Sequence, residues 1–263
     1  MKKFKQRASA AGNIAGGTIG LTENQQDTFE KYNDRANGNG KPLTPNMEKE
    51  LSKLVSIREN PPVPQGLKTV AEKWLISETF GITKHVSSKY FKKGNQNEDA
   101  SIDMVAEHFG FGFLTKNEDF FEDEHFTGTP DIIIPNQLVI DVKNSWDIHT
   151  FPHFAETCPN DLYFYQLQVY MYLLKIDKAR LVYTLTNTPV DLIEREASRY
   201  CYDNGLDPND ADVFNEFERR LTFDDIPTEK KIKSFDFEFD QSIIDMLVER
   251  VELVRTYIKT LSI

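Results

Sequence analysis

The chain has 263 residues, of which 39% are hydrophobic and 28% are charged, and its formal net charge is −11. This length allows one large domain, or one domain with a substantial extension, and the composition excludes an intrinsically disordered chain. No apolar run approaches the length of a membrane span, so we expect no membrane partner.

The first seven residues are basic, and residues 8–20 are rich in Ala and Gly. That stretch has only Ile14 and Ile19 as large aliphatic residues, so it lacks the apolar region of a secretory signal. The two cysteines, Cys158 and Cys201, are far apart and make no disulfide framework. Both features predict a cytoplasmic protein.

The negative charge is unevenly distributed along the chain. Many acidic residues lie in 118–124 and beyond Asp191, whereas Arg7 and its neighbouring lysines form a basic cluster. Local charge decides what a site binds, so the acidity argues only mildly against a nucleic-acid partner. Four lysines form a second basic cluster, in ten residues without an acid: Lys84, Lys89, Lys92 and Lys93.

Helices are predicted in the N-terminal part of the chain. The first two are polar, and the third has Trp74 and Leu75 on one side. A break rich in Gly and Asn at 37–42 and a Pro-rich linker at 60–66 separate them. The predicted helices cover residues 22–36, 45–59 and 67–80.

The middle of the chain predicts a small mixed sheet flanked by helices, an α/β arrangement. Helical spacing of apolar residues indicates a helix over 95–109. Strand-like runs follow, and 135–137 is predicted to be the hairpin turn between the two strong ones. The strands are predicted at 120–121, 131–134, 138–142 and 180–186, with a helix at 162–174.

From Val190 onward the sequence predicts mostly helix, ending in an amphipathic helix over 241–261. The chain therefore divides, by prediction, into three segments. They are an N-terminal helical segment over 1–66, a core over 67–188, and a C-terminal helical extension over 189–263 that packs on the core.

The strand over 138–142 has two charged residues at its end. Side chains alternate along a strand, so Ile140 and Val142 are predicted to face a core while Asp141 and Lys143 lie together on the other face. Taken alone, an ordinary half-exposed strand with a charged outer face gives the same pattern.

Two further acids are predicted to approach Asp141. Asp131 opens the preceding strand, and a hairpin brings the start of one strand near the end of the next, although a turn residue or strand cap explains Asp131 equally. Glu98 shares the apolar face of its helix, and a capping box with Asn95 is the competing explanation. Clustered carboxylates repel unless a cation lies between them, and Mg²⁺ prefers oxygen ligands.

Lys143 would complete such a site. Its ammonium could orient the attacking water and stabilise charge on a phosphate, or it could accept the proton of the water if its pKa were lowered. The sequence does not separate these two roles.

These residues resemble the signature of the PD-(D/E)XK nuclease superfamily. Gly128 and Asp131, followed ten residues later by Asp141 and Lys143, match the pattern G-x-x-D … (D/E)-x-K, and Glu98 resembles the first acidic motif. Glycine at position 128 is expected to allow a tight turn.

Gln166 and Tyr170 resemble the Q-x-x-x-Y motif of the RecB-like and lambda-type exonuclease branch, and their spacing puts them on one helix face. A plain core helix would show the same pair. The resemblance implies that Gln166 steadies a phosphate or Lys143, and that Tyr170 contacts the DNA backbone or packs beneath the site.

Residues 5–9 and 87–94 also resemble the YqaJ-type phage exonucleases, which implies phosphate contacts for Arg7 and Ser9. Lys89, Lys92 and Lys93 would then form an electrostatic track for DNA. The alternative for these lysines is a solvated surface run.

The resemblance implies a restriction-endonuclease-like core with a sheet of αβββαβ type. It also implies one or two Mg²⁺ or Mn²⁺ ions held by Glu98, Asp131, Asp141 and the carbonyl of Val142. An iron–sulfur cluster is not expected, because two cysteines cannot hold one.

The implied activity is exonucleolytic digestion of duplex DNA from a free end, in the 5′-to-3′ direction, during phage or prophage recombination. A single-strand annealing protein and a homo-oligomeric ring are the implied partners, in the cytoplasm of a bacterial host. Three alternatives remain open. They are an endonuclease of the same superfamily, a DNA-binding or partner-binding module that kept the fold without the chemistry, and an interaction protein in which the motifs occur by chance.

Overall fold

The structure is a computed structural model that describes residues 2–83 and 87–263. These residues form two compact units. The first comprises the described residues of Met1–Phe4, Asn13–Ile82 and Met246–Ile263, and the second those of Lys5–Gly12 and Thr83–Asp245. This division differs from the predicted segments, because residues 67–82 belong with the N-terminal helices and residues 189–245 with the sheet.

The elements are numbered in chain order. The helices are α1 (Gly12–Ala15), α2 (Glu23–Ala36), α3 (Pro45–Glu59), α4 (Gln65–Phe80), α5 (Lys89–Gln96), α6 (Glu98–Phe109), α7 (Asp161–Leu174), α8 (Val190–Asn204), α9 (Ala211–Leu221) and α10 (Gln241–Ile258). The strands are β1 (Gln6–Arg7), β2 (Phe121–Glu122), β3 (Phe126–Gly128), β4 (Ile132–Ile134), β5 (Leu138–Asn144), β6 (Lys178–Thr184) and β7 (Ile232–Glu238). Within the described ranges, no helix is both long and apolar enough to cross a membrane.

In the first unit, side-chain caps begin α2 and α3, and an arginine of α10 holds the backbone that follows α1. Thr22 caps α2 in a capping box, and Thr44 caps α3. The guanidinium of Arg250 on α10 donates hydrogen bonds to the carbonyls of Ile14, Gly16 and Gly17, at 2.6 to 2.9 Å. These carbonyls lie at the end of α1, where a helix leaves acceptors unpaired.

The second unit contains two mixed sheets. The larger has the strand order β4-β5-β6-β7, in which β5 runs antiparallel to β4 and parallel to β6, while β7 is antiparallel to β6. The smaller has the order β1-β3-β2, with β1 parallel and β2 antiparallel to β3. The predicted mixed α/β fold is confirmed.

The prediction that the chain after Val190 is mostly helical missed β7. This strand pairs with β6 over its full length, from Ile232 opposite Thr184 to Glu238 opposite Lys178. Its apolar residues alternate with polar ones through Phe235 and Phe237, so a period-two signal was present in the sequence.

The helix predicted over 95–109 is two helices, α5 and α6, with Asn97 between them. Asn95 therefore lies inside α5, and the predicted capping box between Asn95 and Glu98 is wrong. The side chain of Asn97 caps nothing and instead donates hydrogen bonds to Thr186 Oγ1 and the carbonyl of Asn187. This bond network fixes the start of α6, where Glu98 is the first residue.

Strand β5 is buried on both faces, in contrast to the half-exposed strand that the alternation alone would give. Val139 and Ile140 are both 0% exposed, and Ile140 packs with Ile102 and Val105 of α6. The other face meets α7, where Gln166 contacts Asp141. Asp141 is therefore interior, at only 1% exposed, whereas Lys143 near the end of the strand is partly exposed.

Gly128 lies within β3 and not in a tight turn, because the chain passes close to other side chains there. A Cβ atom at this position would lie 2.7 Å from Cε1 of Tyr170 and 3.1 Å from Cβ of Ala8. The glycine of the G-x-x-D pattern thus makes room for the ring of Tyr170.

We expect Gly128→Ala to lower the free energy of unfolding by about 1–3 kcal/mol, because the added methyl overpacks the space beside Tyr170. Denaturant unfolding followed by circular dichroism measures the change. Gly94→Ala is the control, since a Cβ there meets nothing within 4 Å. A Gly128→Ala variant as stable as the unchanged protein would contradict the packing role of this glycine.

Candidate active site

A cleft of about 570 Å³ opens in the second unit. Glu98 of α6, Asp131, and Val142 and Lys143 of β5 all line this cleft. Asp141 is buried and pairs with Lys143, so it lies directly beside the cleft. The four charged residues predicted from the sequence are thus brought together by α6, the β4–β5 hairpin and the end of β5.

The Asp141 carboxylate is held on both oxygens. Its Oδ1 accepts a hydrogen bond of 2.9 Å from Nε2 of Gln166, and its Oδ2 lies 2.5 Å from Nζ of Lys143. Oδ2 is therefore occupied by the Lys143 ammonium, and a metal ion held by Asp141 would have to share or displace this contact. A buried carboxylate is tolerated only with such partners.

Asp131 is oriented by the backbone of the neighbouring strand. Its Oδ2 accepts a 2.7 Å hydrogen bond from the N–H of Val142. The N–H and C=O of one strand residue point to the same side, so the carbonyl of Val142 also faces the side of Asp131. This arrangement fits the predicted use of that carbonyl as a metal ligand.

The environment of Asp131 favours a cation. Burial and the charge of Asp141 raise the pKa of Asp131 to about 7, although Lys143 and the Val142 N–H oppose the shift. The negative charge of Glu98 also raises the pKa of Asp131, so the two carboxylates interact electrostatically. Carboxylates that repel one another in this way suit a hard divalent cation such as Mg²⁺ or Mn²⁺.

Lys143 is kept as a cation by its neighbours. Burial alone would lower the pKa of Lys143, but the charges of Asp141 and Asp131 outweigh burial and raise the pKa above its usual range. Its Nζ also lies 4.7 Å from the centre of the Tyr163 ring, a favourable position for an ammonium.

Gln166 and Tyr170 form a buried support beneath the acids. Nε2 of Gln166 donates to both Asp141 Oδ1 and the hydroxyl of Tyr170, and that hydroxyl donates to the carbonyl of Thr129. Tyr170 is 4% exposed, so it packs beneath the site and its predicted contact with the DNA backbone is wrong. Gln166 steadies Asp141, whereas the sequence had suggested a phosphate or Lys143.

A second polar network ties α6 to the end of β5. Asn144 Nδ2 donates to the hydroxyls of Ser101 and Thr186, and the hydroxyl of Thr184 donates to that of Ser101. These residues fix the position of the helix that carries Glu98. Sequence patterns missed them, because single polar residues in apolar elements carry no periodic signal.

Lys116 also belongs to the site, although it was not among the predicted site residues. Its Nζ lies 2.7 Å from Oε2 of Glu98, which makes a partly exposed ion pair at the cleft. The hydrogen bond to Glu98 raises the pKa of Lys116. Lys116 lies in the loop between α6 and β2, where no periodic pattern could have identified it.

The predicted DNA-contact residues divide into exposed and buried ones. Arg7 and Ser9 are exposed, and Arg7 pairs with Thr127 in the smaller sheet. Lys89 is half-buried and pairs with Glu196 at 2.5 Å, and Lys92 is half-buried. Lys84 lies outside the described residues.

The predicted place of Lys93 in a surface track is wrong, because Lys93 is 0% exposed. Its Nζ donates a 2.8 Å hydrogen bond to the carbonyl of Trp146 and lies 5.2 Å from the centre of the Phe223 ring. Burial lowers the pKa of Lys93 to about 7, although Asp147 opposes the shift.

Solved exonuclease structures share this fold. A phage-related exonuclease from Haemophilus somnus 129PT matches with a TM-score of 0.67 at 23% sequence identity, over 98% of this chain and 95% of that chain. LHK-Exo, an alkaline exonuclease from Laribacter hongkongensis, matches with a TM-score of 0.54 at 11% identity, over 97% of this chain and 88% of that chain. Its complex with dAMP has the same TM-score at 12% identity.

No family model and no curated protein matches the chain. At such low identities the structural likeness establishes a common fold and not a common activity. The resemblance inferred from the sequence motifs is confirmed at that level, since the matching structures are phage-related and alkaline exonucleases.

We expect Lys93→Met to change the pH dependence of stability. Between pH 7 and 10.5 the unfolded chain binds a proton at Lys93 that the folded chain has lost, so this lysine makes stability rise with pH. Below pH 7 both states are protonated and the cost of burying the ammonium is greatest. The free energy of unfolding of Lys93→Met, relative to that of the unchanged protein, should therefore be highest at about pH 6. This advantage of the variant should decrease as the pH rises.

Thermal unfolding at a series of pH values measures this difference. Lys92→Met removes a half-buried lysine from the same helix and should show no such trend. If the difference in melting temperature between Lys93→Met and the unchanged protein stays constant with pH, the buried-ammonium interpretation is contradicted.

Proposed function

We propose that the chain is a metal-dependent deoxyribonuclease that removes nucleotides from an end of duplex DNA. One observation carries this proposal: Glu98, Asp131 and Lys143 line one cleft, and Asp141 is paired with Lys143 beside it. Metal-assisted hydrolysis of a phosphodiester needs clustered carboxylates with a positive charge next to them. The fold shared with two exonucleases supports the same class of reaction.

The acids and one carbonyl would hold one or two Mg²⁺ or Mn²⁺ ions. The ligands would be Glu98, Asp131, Asp141 and the carbonyl of Val142, and the ion, when bound, activates water and offsets charge on the phosphate. Gln166 fixes one oxygen of Asp141 and leaves Oδ2 facing Lys143. The Val142 N–H fixes the rotamer of Asp131 in the same way.

Lys143 acts as an electrostatic stabiliser in this proposal. The carboxylates hold it as an ammonium, which can donate to a phosphate oxygen and stabilise the charge that develops during hydrolysis. The position of Nζ beside the carboxylate of Asp141, at the lining of the cleft, supports this proposed role.

DNA would approach over positive groups near the cleft. Tyr90 and Gly94 of α5 line the cleft, and the same helix carries Lys89 and Lys92. These lysines, with Arg7 and Ser9, are our proposed phosphate contacts. A phosphate would compete with Glu196 for Lys89.

The biological setting is proposed from the resemblance. It is 5′-to-3′ digestion of duplex ends in phage or prophage recombination, in the cytoplasm of a bacterial host, with a single-strand annealing protein and a homo-oligomeric ring as partners. The fold shared with a phage-related exonuclease is in keeping with this setting.

Lys143→Ala should lower the rate of DNA cleavage by about 100- to 1,000-fold, as expected when a preorganised charge is removed from a phosphoryl-transfer site. Release of fluorescent nucleotides from end-labelled linear duplex with Mg²⁺ measures the rate. Lys178→Ala is the control, because Lys178 is exposed at the opposite end of β6 from Tyr183, the partner of Lys143. Melting temperatures verify that both variants fold, and undiminished cleavage by Lys143→Ala would refute the assignment.

Closed circular plasmid should remain intact under conditions in which the same plasmid, once linearised, is degraded. An exonuclease requires an end, whereas an endonuclease of the same superfamily would nick or linearise the circle. A non-catalytic DNA-binding module would leave both forms intact. Gel electrophoresis distinguishes the three outcomes, and labels on the 5′ or 3′ end of each strand report the direction of digestion.

A further inference from the structure

The first acid of the candidate site is already paired with a cation from the chain itself. Nζ of Lys116 lies 2.7 Å from Oε2 of Glu98, and the two side chains are 40% and 28% exposed. The pair is therefore at the surface of the cleft, where it can open without unfolding of the core. Glu98 cannot offer Oε2 to a metal ion while Lys116 stays in this position.

The loop that carries Lys116 is tied to the second acid. The N–H of Asn117 donates a 2.7 Å hydrogen bond to the carbonyl of Asp131, and the Asn117 side chain donates to the carbonyls of Pro130 and Asp119. These bonds fix the backbone next to Lys116. The side chain of Lys116 can still move, because its four-carbon stem is flexible and lies partly in solvent.

Two of the three acids are paired with a lysine, and the third accepts a hydrogen bond from a backbone N–H. Lys143 pairs with Asp141, Lys116 pairs with Glu98, and Asp131 receives a backbone N–H. The residue next to Lys116 is itself hydrogen-bonded to the backbone of Asp131, through the Asn117 N–H at 2.7 Å. A divalent ion held by Glu98 and Asp131 would therefore lie near the Lys116 ammonium. The two positive charges would repel each other.

We propose that Lys116 is the resident counter-ion of the metal site, and that its ammonium competes with the metal ion for Glu98. Metal binding and release of Lys116 are then one coupled event. This inference rests on the proposed function, since it assumes that Glu98 is a metal ligand. After release, the ammonium stays at the edge of the cleft, where it can meet the phosphates of DNA.

Calorimetric titration of the full chain with Mn²⁺, in the absence of DNA, tests this competition. Lys116→Met removes the charge and keeps the bulk, so it should bind Mn²⁺ about two- to fivefold more tightly, the factor that corresponds to a partly exposed ion pair. Lys116→Arg keeps the charge and should bind Mn²⁺ as the unchanged protein does.

Two controls separate this effect from a general loss of positive charge. Lys5→Met breaks another Lys–Glu pair of the same unit, with Glu122 at 2.9 Å, and should leave the affinity unchanged. In a Glu98→Gln background, Lys116→Met should give no further tightening, because the competition requires the Glu98 carboxylate.

Equal or weaker Mn²⁺ binding by Lys116→Met would overturn the inference, as would equal tightening by Lys5→Met. Failure of the proposed nuclease function gives a different result. In that case the unchanged protein and Lys116→Met would still differ in Mn²⁺ affinity, but neither would cut DNA. A chain that binds no Mn²⁺ at all would refute both the metal site and the role of Lys116.

Discussion

The burial of one carboxylate inside the larger sheet determines how the rest of the site is built. Asp141 lies on a central strand that is covered on both faces, and a charge in such a place needs partners. Gln166 supplies a hydrogen bond from α7, and Lys143 supplies a positive charge from the same strand. Each partner engages a different oxygen of the Asp141 carboxylate, so the position of the whole group is fixed.

The motif residues form a closed chain of contacts that joins distant parts of the sequence. Gln166 links Asp141 to the hydroxyl of Tyr170, and this hydroxyl donates to the carbonyl of Thr129. Two residues later Asp131 accepts a hydrogen bond from Val142, the neighbour of Asp141. The motif residues therefore hold one another in position, so a substitution at any one of them should disturb the geometry of the others.

A repeating pattern or a family motif marks most of the residues that meet at the cleft. The alternation in the strand of Asp141 and Lys143, and the motif around Asp131, led to residues that meet in space. The ion pair of Lys116 was missed because it lies in a loop, where spacing carries no information. The prediction that Lys93 lies at the surface was wrong for a related reason. A run of lysines is typical of a surface, and the burial of Lys93 follows only from the packing of α5.

Neither compact unit is a continuous stretch of the chain. The backbone passes between the units after Phe4, Gly12, Ile82 and Asp245. The larger sheet and its acids lie in one segment, Thr83–Asp245, whereas β1 of the smaller sheet comes from the separate segment Lys5–Gly12. A fragment that begins at Thr83 would therefore keep the acids but lose β1, the parallel partner of β3, and with it the Ala8 side chain that packs beside Gly128.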